Sequence, residues 1–368
     1  MSEILVINPG STSTKIAWYR DEQPLWKESI EHSAAQLAQY PTVFDQLSMR
    51  TQLILDAMTR RGAKPADLSA VMARGGLLPP LASGAYEVNA EMLYTLRHHA
   101  VNEHASNLGA AIAQRIAEAG GVRAYIYDPV TVDEMSDLVR ITGLADIRRH
   151  GQGHNLNMRA AALRWCEENK TSYRCSTLIA AHLGGGITLS LHHNGRIEDM
   201  ISDDEGAFSP ERAGEIPSYK LLKKIGDEHL DYAAAMKCLQ RNGGLMSHFG
   251  TADTRVIEQR ALGGDAHAKL VYDAMALSVA RCVAKLAVVV DGHVDAVILT
   301  GGIAWSQYFT GEIARRVRFI APVSIIPGEN EMEALAKGAL RVLRGEEQAR
   351  VYHGPCKAEF EAAQREET

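Results

Sequence analysis

An α/β fold built from two similar domains is what this sequence predicts, and three observations predict it. Strand-like apolar runs alternate with helical patterns along the whole chain, as in α/β architectures. At 368 residues the chain is long for one domain and suits two. A short plan also recurs. "EILVINPGSTSTKIAWYR" near the start is echoed by "LIAAHLGGGITLSLHHNGRI" in the middle, each a strand, a polar residue, a glycine-bearing turn and a second strand. Laid on one another, Asn8 matches His182, Gly10 matches Gly184 and Thr14 matches Thr188. The echo is short, and tight glycine turns between strands also arise without duplication.

Composition bounds the class. Hydrophobic residues make up 46% and charged residues 23%, the balance of an ordinary globular protein. A net charge of -6 and a pI near 6.2 argue against nucleic acid or an anionic membrane as the main partner, since phosphate backbones call for a basic face. Five cysteines (Cys166, Cys175, Cys238, Cys282, Cys356) form no CxxC and are odd in number. That pattern suggests a reducing compartment rather than a disulfide framework or zinc site. "MSEILV" lacks the features of a signal peptide, and no apolar stretch approaches the ~20 residues that span a bilayer. The reading is a soluble, cytoplasmic protein without a membrane partner.

In chain order, the first turn sits between "ILVI" and "KIAWY". A Walker loop needs GxxxxGK[ST] entering a helix, whereas Lys15 has no glycine before it and a strand behind it. The turn therefore reads as a hairpin-type phosphate cradle, where successive N–H groups form an anion nest and glycine admits a close approach. Asn8, Ser11, Ser13 and Lys15 can donate to a phosphoryl group or order a metal's waters, and strand alternation puts Ser11, Ser13 and Lys15 on one side. A polar turn with an exposed lysine is the plainer alternative. "YPTVFDQLSMRTQLILDAMTRRG" then reads as a helix, and "LSAVMA" as a strand ending at Arg74 and two glycines. Arg74 there can clamp a carboxylate or phosphate with its planar fork, or simply close a salt bridge.

The segment "HASNLGAAIAQRIAEAGG" reads as a helix, and "RAYIYD" as a strand that delivers Asp128 to a carboxyl end. Asp128 could hold Mg²⁺ or orient an arginine, or cap the chain locally. Glycines precede His154 in "RRHGQGHNLNMRAAA". The second hairpin, "TLIAAHL" to "ITLSLHH", ends in Asn-Gly, a two-residue turn signal that continues the unit as a meander. "SPERAGEIP" places Arg212 in a loop; two loop arginines suit phosphoryl transfer, where charge spread over three oxygens must be matched. "AKLVYDAMALSVARCVAKLAVVVDG" reads as a buried helix between layers. "DAVILTG" leads through Gly301 and Gly302 into a helix, either bordering an adenosine or making a tight turn. "PVSIIPG" is a last strand, and "GENEMEALAKGALRVL" a helix whose Glu329, Glu331 and Glu333 suit a helix N-terminus or a metal. "CKAEFEAAQREET" reads as a frayed or terminal helix.

With these motifs in order, "VINPGSTSTKIA", "ARGGLLPP", "EHASNLG", "YDPVTVDEM", "AAHLGGGITL", "SPERAGEIP" and "LTGGIAWS", the chain resembles the acetokinase family over nearly its whole length, and most of all its butyrate-acting branch. The resemblance implies two duplicated actin-like (ribonuclease-H-like) domains with an ATP cleft between them. Residues 1–149 plus 331–368 form the amino-terminal, acyl-binding domain, and 150–330 the nucleotide-binding one. It implies ATP/ADP and Mg²⁺, a short-chain carboxylate substrate, and a homodimer or larger assembly. The reaction it implies is reversible, direct in-line transfer of the γ-phosphoryl group to butyrate or a similar short or branched acid.

Carried over by motif, Asn8, Ser11, Ser13 and Lys15 belong to the first phosphate site, and His182, Gly184 and Gly186 to the second. Arg74, His154 and Arg212 surround the transferring group, with Asp128 and Glu331 at the metal. Asp253, Arg255, Gly301 and Gly302 border the adenosine. The "GQG" before His154 departs from the family, which usually has an aromatic residue there, and the glycines after Arg74 do not align with the acetate branch. Both departures bear on substrate size. Acetate or propionate is an alternative acid, and an actin-like sugar kinase or a chaperone-type ATPase an alternative activity. A Rossmann dehydrogenase lacks its GxGxxG.

Overall fold

A computed structural model describes residues 1–354, so the tail read above as a helix lies outside the described residues. The chain divides into two compact units, Met1–Val132 with the segment that begins at Asn330, and Asp133–Glu329. The first holds a seven-stranded sheet: β1 (Glu3–Pro9), β2 (Ser13–Arg20), β3 (Gln23–Glu31), β4 (Ala70–Arg74), β5 (Ala85–Glu87), β6 (Arg123–Tyr127) and the edge strand Arg350–Val351. Its order is Arg350–Val351, β5, β6, β4, β1, β2, β3. β1, β2 and β3 form an antiparallel meander, while β4 runs parallel to β1 and β6 parallel to β4.

The continuous apolar run of β1 follows from burial on both faces. Leu5 and Ile7 join a core with Ile54 and Met58 of the helix Leu47–Arg60 and with Ile112 and Ile116 of the helix Leu108–Gly120. The helix Glu331–Leu343 packs against β1 and β4. Leu108–Gly120 stops at Gly121, whose φ of 68° is the left-handed cap that glycine supplies cheaply. β3 is absent from the sequence reading for a physical reason. "QPLWKESIE" alternates exposed and half-exposed residues on a sheet edge, so it carries no apolar run.

The second unit repeats the plan. β7 (Leu178–Leu183), β8 (Ile187–His193), β9 (Arg196–Ile201), β10 (Ala296–Gly301) and β11 (Val323–Pro327) are ordered β11, β10, β7, β8, β9. This is the order β6, β4, β1, β2, β3 of the first sheet, with the same strand directions. Asn194 and Gly195 turn β8 into β9 with φ of 53° and 80°, as the Asn-Gly signal demands. The long helix Ala266–Ala287 lies between β9 and β10 in the chain, as Leu47–Arg60 lies between β3 and β4. Its Tyr272, Met275, Val279 and Val283 centre the second core. The echo is thus the visible part of a repeated five-strand plan.

Residues 133–149, placed with the first domain by the sequence, belong to the second unit. Arg149 pairs with Glu205 at 2.7 Å and Asp199 at 3.1 Å, and the Glu134 carboxylate accepts from the Ile197 N–H at 2.9 Å. Among the described residues no helix is long and apolar enough to cross a membrane.

Candidate active site

In the first unit three expected residues meet at the carboxyl ends of adjacent parallel strands. Asn8 is the next-to-last residue of β1 and Arg74 the last of β4, while Asp128 follows β6. Glu331, at the start of its helix, joins two of them: Asn8 Nδ2 donates to Oε2 at 2.6 Å, and Arg74 Nη1 lies 3.2 Å from Oε1. Asp128 is buried and its Oδ1 accepts from the Gly84 N–H at 2.7 Å. The glycines after Arg74 are explained by packing. A Cβ on Gly75 would sit 2.5 Å from Pro129 Cγ, and one on Gly76 2.8 Å from Asn107 Cα. The "RGG" and "DP" motifs are therefore pressed together, Gly75 against the proline that follows Asp128.

Beside them runs the β1–β2 turn, closed by a 2.7 Å bond from the Gly10 N–H to the Ser13 carbonyl. Lys15 is exposed, Ser13 half-buried and Thr14 buried between them, as alternation requires; Ser11 lies in the turn itself, where strand alternation does not reach.

In the second unit the turn Gly184–Gly186 is ringed by side chains. A Cβ on Gly184 would meet His182 Nε2 at 2.8 Å, and one on Gly186 would approach Asp203 Oδ2 at 3.5 Å and His154 Cε1 at 3.7 Å. The His154 and His182 rings stack with centroids 3.8 Å apart and planes 9° from parallel. Thr188 Oγ1 lies 2.9 Å from His154 Nδ1, and Asn157 Nδ2 donates to His182 Nδ1 at 2.8 Å. With Nδ1 accepting, the His182 proton sits on Nε2, which faces Glu329 Oε1 at 3.4 Å. Arg212 belongs to the same cluster. Its loop is tied to the turn by Ser209 Oγ donating to the Gly185 carbonyl at 2.7 Å and by the Glu211 N–H donating to the same oxygen at 3.2 Å. The guanidinium is held by Asp203 Oδ2, 2.9 Å from Nε, and by the Gln240 carbonyl.

The alignment of the two hairpins needs one correction. Pro9 faces Thr14 across the first turn, whereas Leu183 faces Ile187 across the second, which is one residue shorter. Thr188 lies opposite His182 as Lys15 lies opposite Asn8, so Lys15 and not Thr14 is its counterpart.

Gly301 is required where it stands. Its φ is 90°, and a Cβ would lie 2.5 Å from the Leu183 carbonyl oxygen at the end of β7. A Cβ on Gly302 would meet open space. Asp253 caps the helix Thr254–Leu262 and forks onto Arg255 at 2.7 and 3.0 Å, and that pairing holds its carboxyl down at about 2. The sequence reading missed Asp203, Glu211, Asn157 and Arg50. Asp203 had a faint signal in the acidic run before Gly206; the others had none.

Among the described residues no three acidic, histidine or cysteine side chains are placed to hold a metal ion by themselves. Mg²⁺ commonly takes one or two carboxylates and completes its shell with phosphate oxygens and water. The carboxylates of Glu331 and Asp128 are of the chemistry such a partial donor set uses.

Residues 139–321 match the sequence model of the acetokinase family. Butyrate kinase 2 of Clostridium acetobutylicum is 44% identical over 352 residues, covering 95% of this chain and 99% of the relative. Acetate kinase of Porphyromonas gingivalis superposes with a TM-score of 0.77 at 19% identity, over 93% of this chain and all of that one. A propionate kinase of Francisella tularensis gives 0.74 at 18%, over 92% of this chain and 99% of its own. At these identities the two solved structures show the shared fold.

Proposed function

The chain belongs to the acetokinase family, and from that premise we propose that it transfers the γ-phosphoryl group of ATP reversibly to a short carboxylate, with butyrate the preferred acid. The single observation that carries the reading is the glycine-bearing hairpin repeated at the same place in both sheets, each beside an arginine held by a carboxylate. The proposal extends to the cytoplasm as location and to a homodimer or larger assembly.

The first unit supplies Arg74 for the acid's carboxylate, with Asn8, Ser11, Ser13 and Lys15 for phosphate. The second supplies Gly184 and Gly186 for phosphate, His182, His154 and Arg212 for charge developing on phosphoryl oxygens, and Asp253, Arg255, Gly301 and Gly302 for adenosine. A carboxylate oxygen bonds to γ-phosphorus while the bond to the β,γ-bridging oxygen breaks, and ADP leaves with that electron pair. The acid is already ionised at pH 7, since a carboxylic pKa is about 4–5, so no general base is required. Positioning and matched charge carry the rate. Glu331 and Asp128 would hold Mg²⁺, which would neutralise phosphate charge there.

The test is to incubate the protein with Mg-ATP and a series of straight and branched short acids, trapping acyl phosphate with hydroxylamine. The expected result is hydroxamate formation that peaks at butyrate. No hydroxamate from any acid, with ATP still bound, overturns the reading; a peak at acetate or propionate overturns the choice of acid.

A further inference from the structure

Behind the first hairpin lies a cation that none of the assigned roles uses. Arg50, in the helix Leu47–Arg60, is only 1% exposed, yet no carboxylate pairs with it among the described residues. Its guanidinium is spent on the turn. Nη1 donates to the carbonyls of Gly10 at 2.9 Å and Ser13 at 3.3 Å and to Thr14 Oγ1 at 3.0 Å, and Nη2 donates to the Ser11 carbonyl at 3.2 Å. Gln46 Oε1 takes the remaining donors, from Nε at 3.0 Å and Nη2 at 2.8 Å.

Two consequences follow from elementary geometry and charge. In a trans peptide the C=O of one residue and the N–H of the next point in opposite directions. With the Gly10 and Ser11 carbonyls drawn onto Arg50, the N–H groups of Ser11 and Thr12 point away from it. Both residues are exposed, and neither N–H has an acceptor among the described residues. Two successive outward N–H groups make an anion nest. A buried positive charge that lacks a counter-charge is also costly, and an anion seated in that nest supplies one.

We propose that Arg50 is the positioning residue of the first phosphate hairpin: it turns the Ser11 and Thr12 N–H groups outward and sets an uncompensated positive charge beneath the bound phosphate. Its role is exerted through the turn, without touching the ligand. The neighbouring His32, whose Nε2 is 2.9 Å from Thr14 Oγ1, stays neutral at pH 7 because burial and Arg50 lower its pKa to about 4, so Arg50 is the cation of the network.

The inference rests on the kinase reading for the identity of the anion, and its test separates the two. Gln46→Glu places a carboxylate against the same guanidinium, keeping its fork while cancelling its charge. Arg50→Lys keeps the charge but cannot hold three carbonyls and Gln46 together. Both full-length variants are compared with wild type for melting temperature, ADP affinity by calorimetry, and KM for Mg-ATP and for butyrate. Gln46→Glu is expected to melt at or above the wild-type temperature while binding ADP about tenfold more weakly, a combination that loss of structure does not produce. Arg50→Lys is expected to melt lower and to raise KM for Mg-ATP about tenfold, leaving KM for butyrate within twofold.

Wild-type ADP affinity in Gln46→Glu overturns the electrostatic role. Equal rises in both KM values, or none, in Arg50→Lys overturn the positioning role, and if Arg50→Lys does not fold, Gln46→Glu alone decides the proposal. Should wild type bind ADP but phosphorylate no acid, the kinase reading fails while the ADP comparison still judges Arg50.

Discussion

Two roles are proposed for the Glu331 carboxylate, holding Arg74 and binding metal, and Glu331→Gln separates them. The carboxylate bridges Asn8 at 2.6 Å and Arg74 at 3.2 Å, with about a fifth of each charged side chain exposed. Glutamine keeps the shape and can still accept from Asn8 through its carbonyl oxygen. What it removes is the charge opposite Arg74. A charge-assisted hydrogen bond contributes about 1.5–3 kcal/mol, and the partial exposure places this pair at the low end, about 1.5 kcal/mol. If Arg74 must be held still to receive the acid, that converts to a fall in kcat/KM for butyrate of roughly tenfold.

The assay is steady-state kinetics of Glu331→Gln over a Mg²⁺ titration, together with a double-mutant cycle against Arg74→Lys. The deficit is expected to persist at saturating Mg²⁺, and the two substitutions to be non-additive by about 1 kcal/mol. Full recovery at high Mg²⁺ would refute the reasoning, because a lost metal ligand is restored by mass action and a lost arginine tether is not. Additivity within ~0.5 kcal/mol would refute it independently.

Two further outcomes follow from local geometry. Gly301→Ala is expected to cost about 2–3 kcal/mol and to weaken ADP binding, because the φ of 90° and the Leu183 backbone both oppose a Cβ, whereas Gly302→Ala, facing open space, should match wild type; urea midpoints and ADP titration of the pair check this. His192 is fully buried between Tyr173 and Ser190, and burial lowers its pKa from 6.5 to about 3, so it stays neutral in the folded state while the unfolded chain takes up a proton. Its stabilising contribution is therefore complete above pH 6.5 and fades as pH falls toward 3. Between pH 6.5 and 5 the loss is about 1.5 kcal/mol, and His192→Gln should lose that much less over the same interval in urea unfolding; equal slopes for the two proteins would contradict the assignment.

What the sequence made legible is what local pattern encodes. β1, β4, β7 and β10 are central strands buried on both faces, so each announces itself as a continuous apolar run. β3 is an edge strand with a wet face, and no such run exists to be read. Of the expected residues that do meet, Asn8, Arg74 and His182 were marked by glycines near strand ends, His154 by the glycines before it, and Glu331 by the acidic start of a helix. The division at Val132 was harder, because Asp133–Arg149 owe their place to ion pairs with residues some fifty positions on, such as Arg149 with Glu205. Arg50 was silent for a similar reason: on a helix with polar neighbours an arginine reads as a solvated side chain, and only the fold reveals that four acceptors of a distant turn surround it.

The two hairpins show how a repeated plan yields unlike chemistry, through the residues that occupy equivalent places. Each hairpin presents the next-to-last side chain of its first strand together with the residue facing it on the second. In the longer turn that pair is Asn8 and Lys15, an amide beside a mobile cation. In the shorter it is His182 and Thr188, and the hydroxyl holds His154 so that two imidazoles stack beside the glycines. Gly153 makes this possible, since a Cβ there would press to 3.1 Å on Thr188 Oγ1 and Met200 Sδ. A flexible lysine can follow a phosphate as it moves, whereas a stacked and hydrogen-bonded histidine offers a fixed donor.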